Sequence, residues 1–100
     1  MSYSGVSWLL AGEPVGYEKV TVAGTAVGLT IPSDATKALM VLEDAKVRFR
    51  DDGTNPTATE GMPLNIDQSL VIESGLSLGK FKAIRTGATS GTLYILYYKR

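Results

Sequence analysis

The chain has 100 residues, with ten basic and ten acidic side chains, no cysteine and no histidine. This length fits one domain, and the zero formal net charge provides no general attraction to nucleic acid or to an anionic membrane. Without cysteine and histidine, thiolate nucleophiles, disulfides and the usual general base near neutral pH are all missing. We therefore expect a protein that is not an enzyme, with no cofactor, no metal, and neither nucleic acid nor membrane as a partner.

From the residues at the beginning of the chain we expect no signal for export or membrane insertion. No basic residue precedes Lys19, whereas a secretory signal begins with positive charge. Apolar runs also stay well below the roughly 20 residues that span a bilayer. These features predict that the protein is made and assembled in the cytoplasm of the cell that produces it.

Residues 1–16 are predicted to form an N-terminal arm, and residues 17–100 a single domain. The arm contains Trp8, Leu9 and Leu10, which follow neither a helical nor a strand period and lie among glycines and a proline. Two interpretations are open. In one, an arm places these three side chains on a neighbouring subunit, so that they are the partner contacts. In the other, the segment is a first strand packed on its own domain.

The next part of the chain alternates like a pair of strands. Residues 17–23 alternate in side-chain character, and Val27, Leu29 and Ile31 do so after a turn at 24–26. The pattern predicts a β-hairpin.

The apolar run at residues 38–42 fits a buried strand or a helix equally well by period. Ser33 and Asp34 could cap a helix, but the following segment is plainly a strand, so we favour a strand paired with residues 46–50. A single helical turn near residues 33–36 is compatible with this arrangement.

The most informative stretch is a strand that ends in a long polar turn. Val47 and Phe49 fall on one face of residues 46–50, with the charged side chains on the other, which predicts one buried and one wet side. Asp-Gly is a strong turn signal, and proline prevents a helix from starting nearby. Part of the turn resembles the start of a calcium loop, but the distal glutamate is not at loop spacing, so a structural turn is favoured. The turn residues are Asp51, Asp52, Gly53 and Pro56.

Three further strands are predicted in the C-terminal half. Residues 69–73 and the edge-like residues 80–86 are the first two, and Leu76 with Leu78 would form a loop flap between them. Residues 92–98 are apolar or aromatic on both faces, as expected for a strand that is central to the core or covered by a partner. The spacing of the strands predicts an all-β fold, a small antiparallel β-sandwich or barrel-like sandwich with an N-terminal arm.

The aromatic residues of the last strand have two possible uses. Tyr94, Tyr97 and Tyr98 could stack against a sugar, but packing in a core or an interface is the favoured interpretation.

Two stretches, VRFRDDGTNPTATEGMPL and FKAIRTGATSGTLYILYYK, resemble small β-rich proteins encoded among the structural genes of tailed bacteriophages and prophages. The likeness covers residues 20–100 and leaves the arm outside it. The residues that match the pattern are Val47, Arg48, Phe49, Asp52, Gly53, Thr54, Pro56, Thr57, Gly61, Leu64, Phe81, Ala83, Ile84, Arg85, Tyr97 and Tyr98.

The resemblance implies a virion structural protein without a catalytic residue. Within that class the expected role is a capsid decoration or stabilising protein located in the virion, bound to the major capsid protein or other virion proteins and to its own copies. A head-tail connector or tail component is the alternative. The same Asp-Gly-Thr-x-Pro-Thr turn also occurs in sandwich modules attached to sugar-cleaving enzymes, so a carbohydrate-binding module is a third hypothesis.

Overall fold

The computed structural model describes residues 12–99 and builds them from seven strands and one short helix. The predicted contact residues Trp8, Leu9 and Leu10 lie outside the described residues. The first strand begins at Glu13, four residues before the predicted start at Tyr17. The elements in chain order are β1 Glu13–Val22, β2 Lys37–Glu43, β3 Val47–Arg50, β4 Met62–Leu64, β5 Ser69–Ile72, α1 Gly75–Lys80, β6 Lys82–Arg85 and β7 Gly91–Lys99.

The strands form two antiparallel sheets that enclose one core. The larger sheet has the order β1-β7-β2-β5, and the smaller has the order β4-β3-β6. This arrangement confirms the prediction of a small all-β sandwich.

The core forms where the inner faces of the two sheets meet. Val47 is fully buried, and the Phe49 ring stacks on Phe81 with 5.4 Å between ring centroids, so the predicted inner face of this strand is confirmed. Tyr97 of β7 fills the same interior from the opposite sheet. The other large, fully buried side chains are Met40, Leu42, Leu78, Leu93, Ile95 and Val22.

The predicted hairpin between residues 17–23 and 27–31 is wrong. β1 pairs with β7 along nearly its whole length, and Val27 forms only an isolated bridge with Ala83. The apolar side chains of residues 27–31 are still used, because Val27, Leu29 and Ile31 pack against the core from a loop. A long apolar strand is a better partner for β1 than a short segment that ends at a proline.

The apolar run at residues 38–42 is a strand, as favoured, but its predicted partner is wrong. β2 lies between β7 and β5, whereas β3 belongs to the smaller sheet. The chain changes sheets at Asp44, whose φ of +79° is in the left-handed region that aspartate tolerates better than most residues. The Thr92 hydroxyl donates a hydrogen bond of 2.6 Å to the Asp44 carboxylate and stabilises this turn.

The predicted flap around Leu76 and Leu78 is a short helix, α1. The Ser74 hydroxyl accepts a hydrogen bond from the Ser77 amide, and Leu78 is buried while Leu76 is 79% exposed. Phe81 caps the C-terminus of the helix, and β6 begins at the next residue, Lys82. As predicted, β6 is an edge strand of its sheet. Within residues 12–99, no helix is long and apolar enough to cross a membrane.

The close approach of β7 to the chain between β2 and β3 depends on Gly91. A Cβ at this position would lie 2.7 Å from the Ala45 carbonyl oxygen and 2.8 Å from Val47 Cγ1. We predict that Gly91→Ala lowers the free energy of unfolding by about 2 kcal/mol, as overpacking of a core typically does. Urea denaturation followed by circular dichroism measures the effect. Gly87→Ala is the matched control, since no atom lies within 4 Å of its added Cβ, and equal stability of the two variants would contradict the prediction.

Candidate functional site: the outer face of the larger sheet

An apolar row crosses all four strands on the solvent side of the larger sheet. Tyr17 of β1 lies opposite Leu96 of β7, Leu96 lies opposite Leu39 of β2, and Leu39 lies opposite Val71 of β5. Side chains in register on neighbouring strands are about 5 Å apart and point to the same side. The four side chains therefore form a continuous surface.

The neighbouring row begins and ends with a polar residue. It runs from Lys19 to Tyr94, Val41 and Ser69. The Lys19 ammonium lies 5.7 Å from the centroid of the Tyr94 ring, within the range of a cation–π contact. This places charge at the border of the surface and leaves its centre apolar.

We call these two rows the outer face. They surround a shallow groove of about 560 Å³ in which Leu39, only 4% exposed, forms part of the floor and Tyr17, 61% exposed, forms part of the rim. Such a surface can bind an apolar partner by shape and area, but it offers few groups for directed hydrogen bonds. Its apolar and aromatic members are Tyr17, Leu39, Val41, Val71, Tyr94 and Leu96.

The position of β7 explains why this strand is apolar on both sides. Leu93, Ile95 and Tyr97 are fully buried in the core, while Tyr94 and Leu96 lie on the outer face. The sequence predicts a strand that is central to the core or covered by a partner. In the structure β7 is an inner strand of its sheet, and only one of its two sides faces the core.

The predicted sugar-stacking residues are divided between the two sides of β7, because Tyr97 alternates with Tyr94 and Tyr98. Tyr97 is buried, and its hydroxyl donates a 2.6 Å hydrogen bond to Glu18 Oε1. The Thr30 amide donates to both oxygens of the same carboxylate, at 3.1 and 3.2 Å. The Glu18 carboxylate on β1 is therefore bonded both to β7 and to the loop before β2. Burial, followed by the hydrogen bond to Glu18, raises the pKa of Tyr97 above its usual value of 10.

The polar turn after β3 is held by its own side chains. The Asp52 carboxylate accepts hydrogen bonds from the Arg50 guanidinium and from the Thr54 amide, the latter at 3.2 Å, and these lower the pKa of Asp52 to about 2. Gly53 has a φ of +91°, and Pro56 is buried. Asp51 is exposed. In residues 12–99, potential metal ligands form no cluster of three or more.

The outer face could be recognised in the sequence only in part. The two-sided apolar character of residues 92–98 is visible, and so is the run at 38–42. The residue that sequence reasoning missed is Tyr17, because its role follows from the pairing of β1 with β7, which the local pattern does not reveal.

The contact between Tyr97 and Glu18 predicts a loss of stability in alkali. The unfolded chain releases the Tyr97 proton near pH 10, whereas the folded protein retains it, so its contribution is complete below pH 10 and is lost as pH rises above that value. We expect Tyr97→Phe to lower the free energy of unfolding by about 1–2 kcal/mol at pH 7 and to flatten its decline above pH 10. Urea midpoints measured between pH 7 and 11.5 test this.

Tyr17→Phe is the control for this measurement, because it removes a phenol that does not contact Glu18. It should keep the alkaline slope of the parent protein. A Tyr97→Phe variant with the same slope as the parent would contradict the assignment.

Comparison with known proteins identified no relative of this chain. No protein-family model, no curated protein and no solved structure matches the chain. A function is therefore proposed from the outer face together with the sequence resemblance of residues 20–100.

Proposed function

We propose that this chain is a non-catalytic structural protein that assembles with other protein subunits through its outer face, and that the assembly is the particle of a tailed bacteriophage. The observation that carries the proposal is the continuous apolar surface across four strands, with Tyr94 and Leu96 at its centre. The partner at this surface is a second copy of the chain. Within the particle, a capsid decoration or stabilising role is favoured, and a connector or tail position is the alternative.

The chemistry of the outer face supports binding to protein. Along a strand with one face in water, apolar side chains that point to the core normally alternate with polar side chains that point to solvent. Exposing an apolar side chain to water contributes nothing to stability. Here Val41 and Leu96 are partly exposed yet apolar, and Leu39 beside them in the sheet is only 4% exposed, so this face carries apolar side chains where a solvated sheet would carry polar ones. A contiguous apolar patch bordered by polar residues is typical of an interaction site.

The size of the outer face favours an assembly of many copies. Four strands about 4.8 Å apart, with two rows of side chains, give a footprint of only a few hundred Å². A standard interface buries roughly 800 Å² on each partner, so one such contact is weak. In a particle, repeated weak contacts act together and gain affinity by multivalency. The zero formal net charge means that neighbouring copies do not repel one another strongly.

The assignment to a phage particle is supported by the resemblance of residues 20–100 to virion proteins. Several of the matching residues have structural roles in the fold. Gly53 has the positive φ that the turn requires, Phe49 stacks on Phe81, and Tyr97 is buried. The resemblance is thus carried by residues that stabilise the sandwich, and the outer face supports the docking role separately.

The proposal predicts that a charge at the centre of the outer face weakens self-association. We expect Leu96→Lys to raise the dissociation constant between copies at least tenfold, because the ammonium would have to be desolvated in an apolar contact. Light scattering over a concentration series, combined with chromatography, measures the constant. Circular dichroism checks that the variant is folded.

Leu76→Lys is the matched control. It introduces the same charge in place of the same residue type on α1, at a side chain that is already 79% exposed. It should associate like the parent protein. A parent that stays monomeric at all concentrations, or a Leu96→Lys variant that associates equally well, would remove the outer face from the proposal.

A carbohydrate-binding role is the second candidate, because Tyr17 and Tyr94 line the same groove. Aromatic rings on a flat sheet face can stack against a sugar ring. A glycan array would then give signals that disappear in Tyr94→Ala. Silence across the array, together with self-association of the parent, would discard this candidate in favour of protein assembly.

A further inference from the structure

We propose that the occupant of the outer face is the N-terminal segment of a neighbouring copy, residues 1–11, with Trp8, Leu9 and Leu10 in contact with the apolar rows. This inference rests on the proposed function, since it names the part of the second copy that binds. It also gives the predicted arm an acceptor surface on the folded domain.

The chemistry of the segment matches the chemistry of the outer face. Residues 1–11, MSYSGVSWLLA, contain no charged side chain, and their largest apolar residues are consecutive. The central side chains Leu39, Val41 and Leu96 are likewise uncharged, while Glu43 lies at one side of the groove and Lys19 at the end of a row. Covering these central side chains with the segment buries apolar surface and brings in no charged side chain.

The length of the segment is sufficient to cross the face. Eleven extended residues reach about 36 Å, whereas four strands spaced about 4.8 Å apart span roughly 15 Å. The segment can therefore cross the outer face and still have residues left to connect to β1 of its own copy.

The start of β1 favours binding to a neighbour over binding to the same copy. β1 is an edge strand and begins at Glu13, five residues after Trp8. Returning onto its own sheet would use about four residues for the chain reversal. Too few would remain to bring Trp8 to Leu39, which lies two strands or about 10 Å away from β1. A segment that arrives from another copy has no such restriction.

Exchange of segments between neighbours would also explain how a small face supports assembly. If each copy gives its segment to one neighbour and receives a segment from another, every copy is held by two contacts, and these repeated contacts act together by multivalency. A tryptophan buried at the centre of such a contact is typical of the residues that dominate binding.

Two full-length variants test the proposal by complementation. Leu96→Lys damages the face but keeps Trp8, the single tryptophan of the chain. The triple variant Trp8→Ser, Leu9→Ser, Leu10→Ser damages the segment, keeps the face and has no tryptophan. Each variant alone should be monomeric. Mixing them should form pairs with one intact contact, and the Trp8 emission of the first variant should shift to shorter wavelength as the second is added.

The absence of a blue shift on mixing would overturn the inference. A second outcome would also overturn the inference. If the Trp8 emission of the parent protein is already blue-shifted at dilutions where the parent is monomeric, and does not change with concentration, the segment would lie on its own copy. If the triple variant associates like the parent while Leu96→Lys does not, the proposed function stands, but another part of the second copy occupies the face. If the parent never associates, the proposed function fails as well.

Discussion

The structure depends on the position of β7 between β1 and β2. This strand supplies Leu93, Ile95 and Tyr97 to the core on one side and Tyr94 and Leu96 to the outer face on the other. The backbone of an inner strand is hydrogen-bonded to a neighbouring strand along both edges. Only its two side-chain faces are left to contact other groups, and in β7 one faces the core and the other faces outward. Stability and proposed binding thus share one strand but use opposite sides of it.

The register of β7 with its neighbours determines which side chains meet on the outer face. Slipping either pairing by one residue would move the Tyr17, Leu96 and Leu39 row out of alignment and exchange core and solvent sides. Two contacts at the ends of β7 oppose such a slip. Gly91 admits the close approach of the chain beside Val47, and the Tyr97 hydroxyl donates a hydrogen bond to the Glu18 carboxylate on β1. The outer face is therefore positioned by interactions on the core side.

The smaller sheet contributes to the core and leaves the outer face of the larger sheet free. β3 delivers Val47 and Phe49 inward, and its polar end continues into the turn held by Asp52. This turn joins β3 to β4, both strands of the smaller sheet, so it is not part of the apolar rows. The smaller sheet therefore serves the core, while the outer side of the larger sheet carries the apolar rows.

By period alone, residues 38–42 fit a strand or a helix equally well. The sequence by itself determined the all-β class, the inward direction of Val47 and Phe49, and the strands at residues 69–72 and 92–98. These follow from the two-residue alternation and from glycine and proline turn signals, which are local properties of the chain. The tertiary structure alone decided that β1 pairs with β7, that β2 pairs with β7 and β5, and that Tyr94 and Leu96 lie outside while Tyr97 lies inside. Strand pairing depends on contacts between residues far apart in the chain, and a strand apolar on both sides carries no local sign of which side the core will cover.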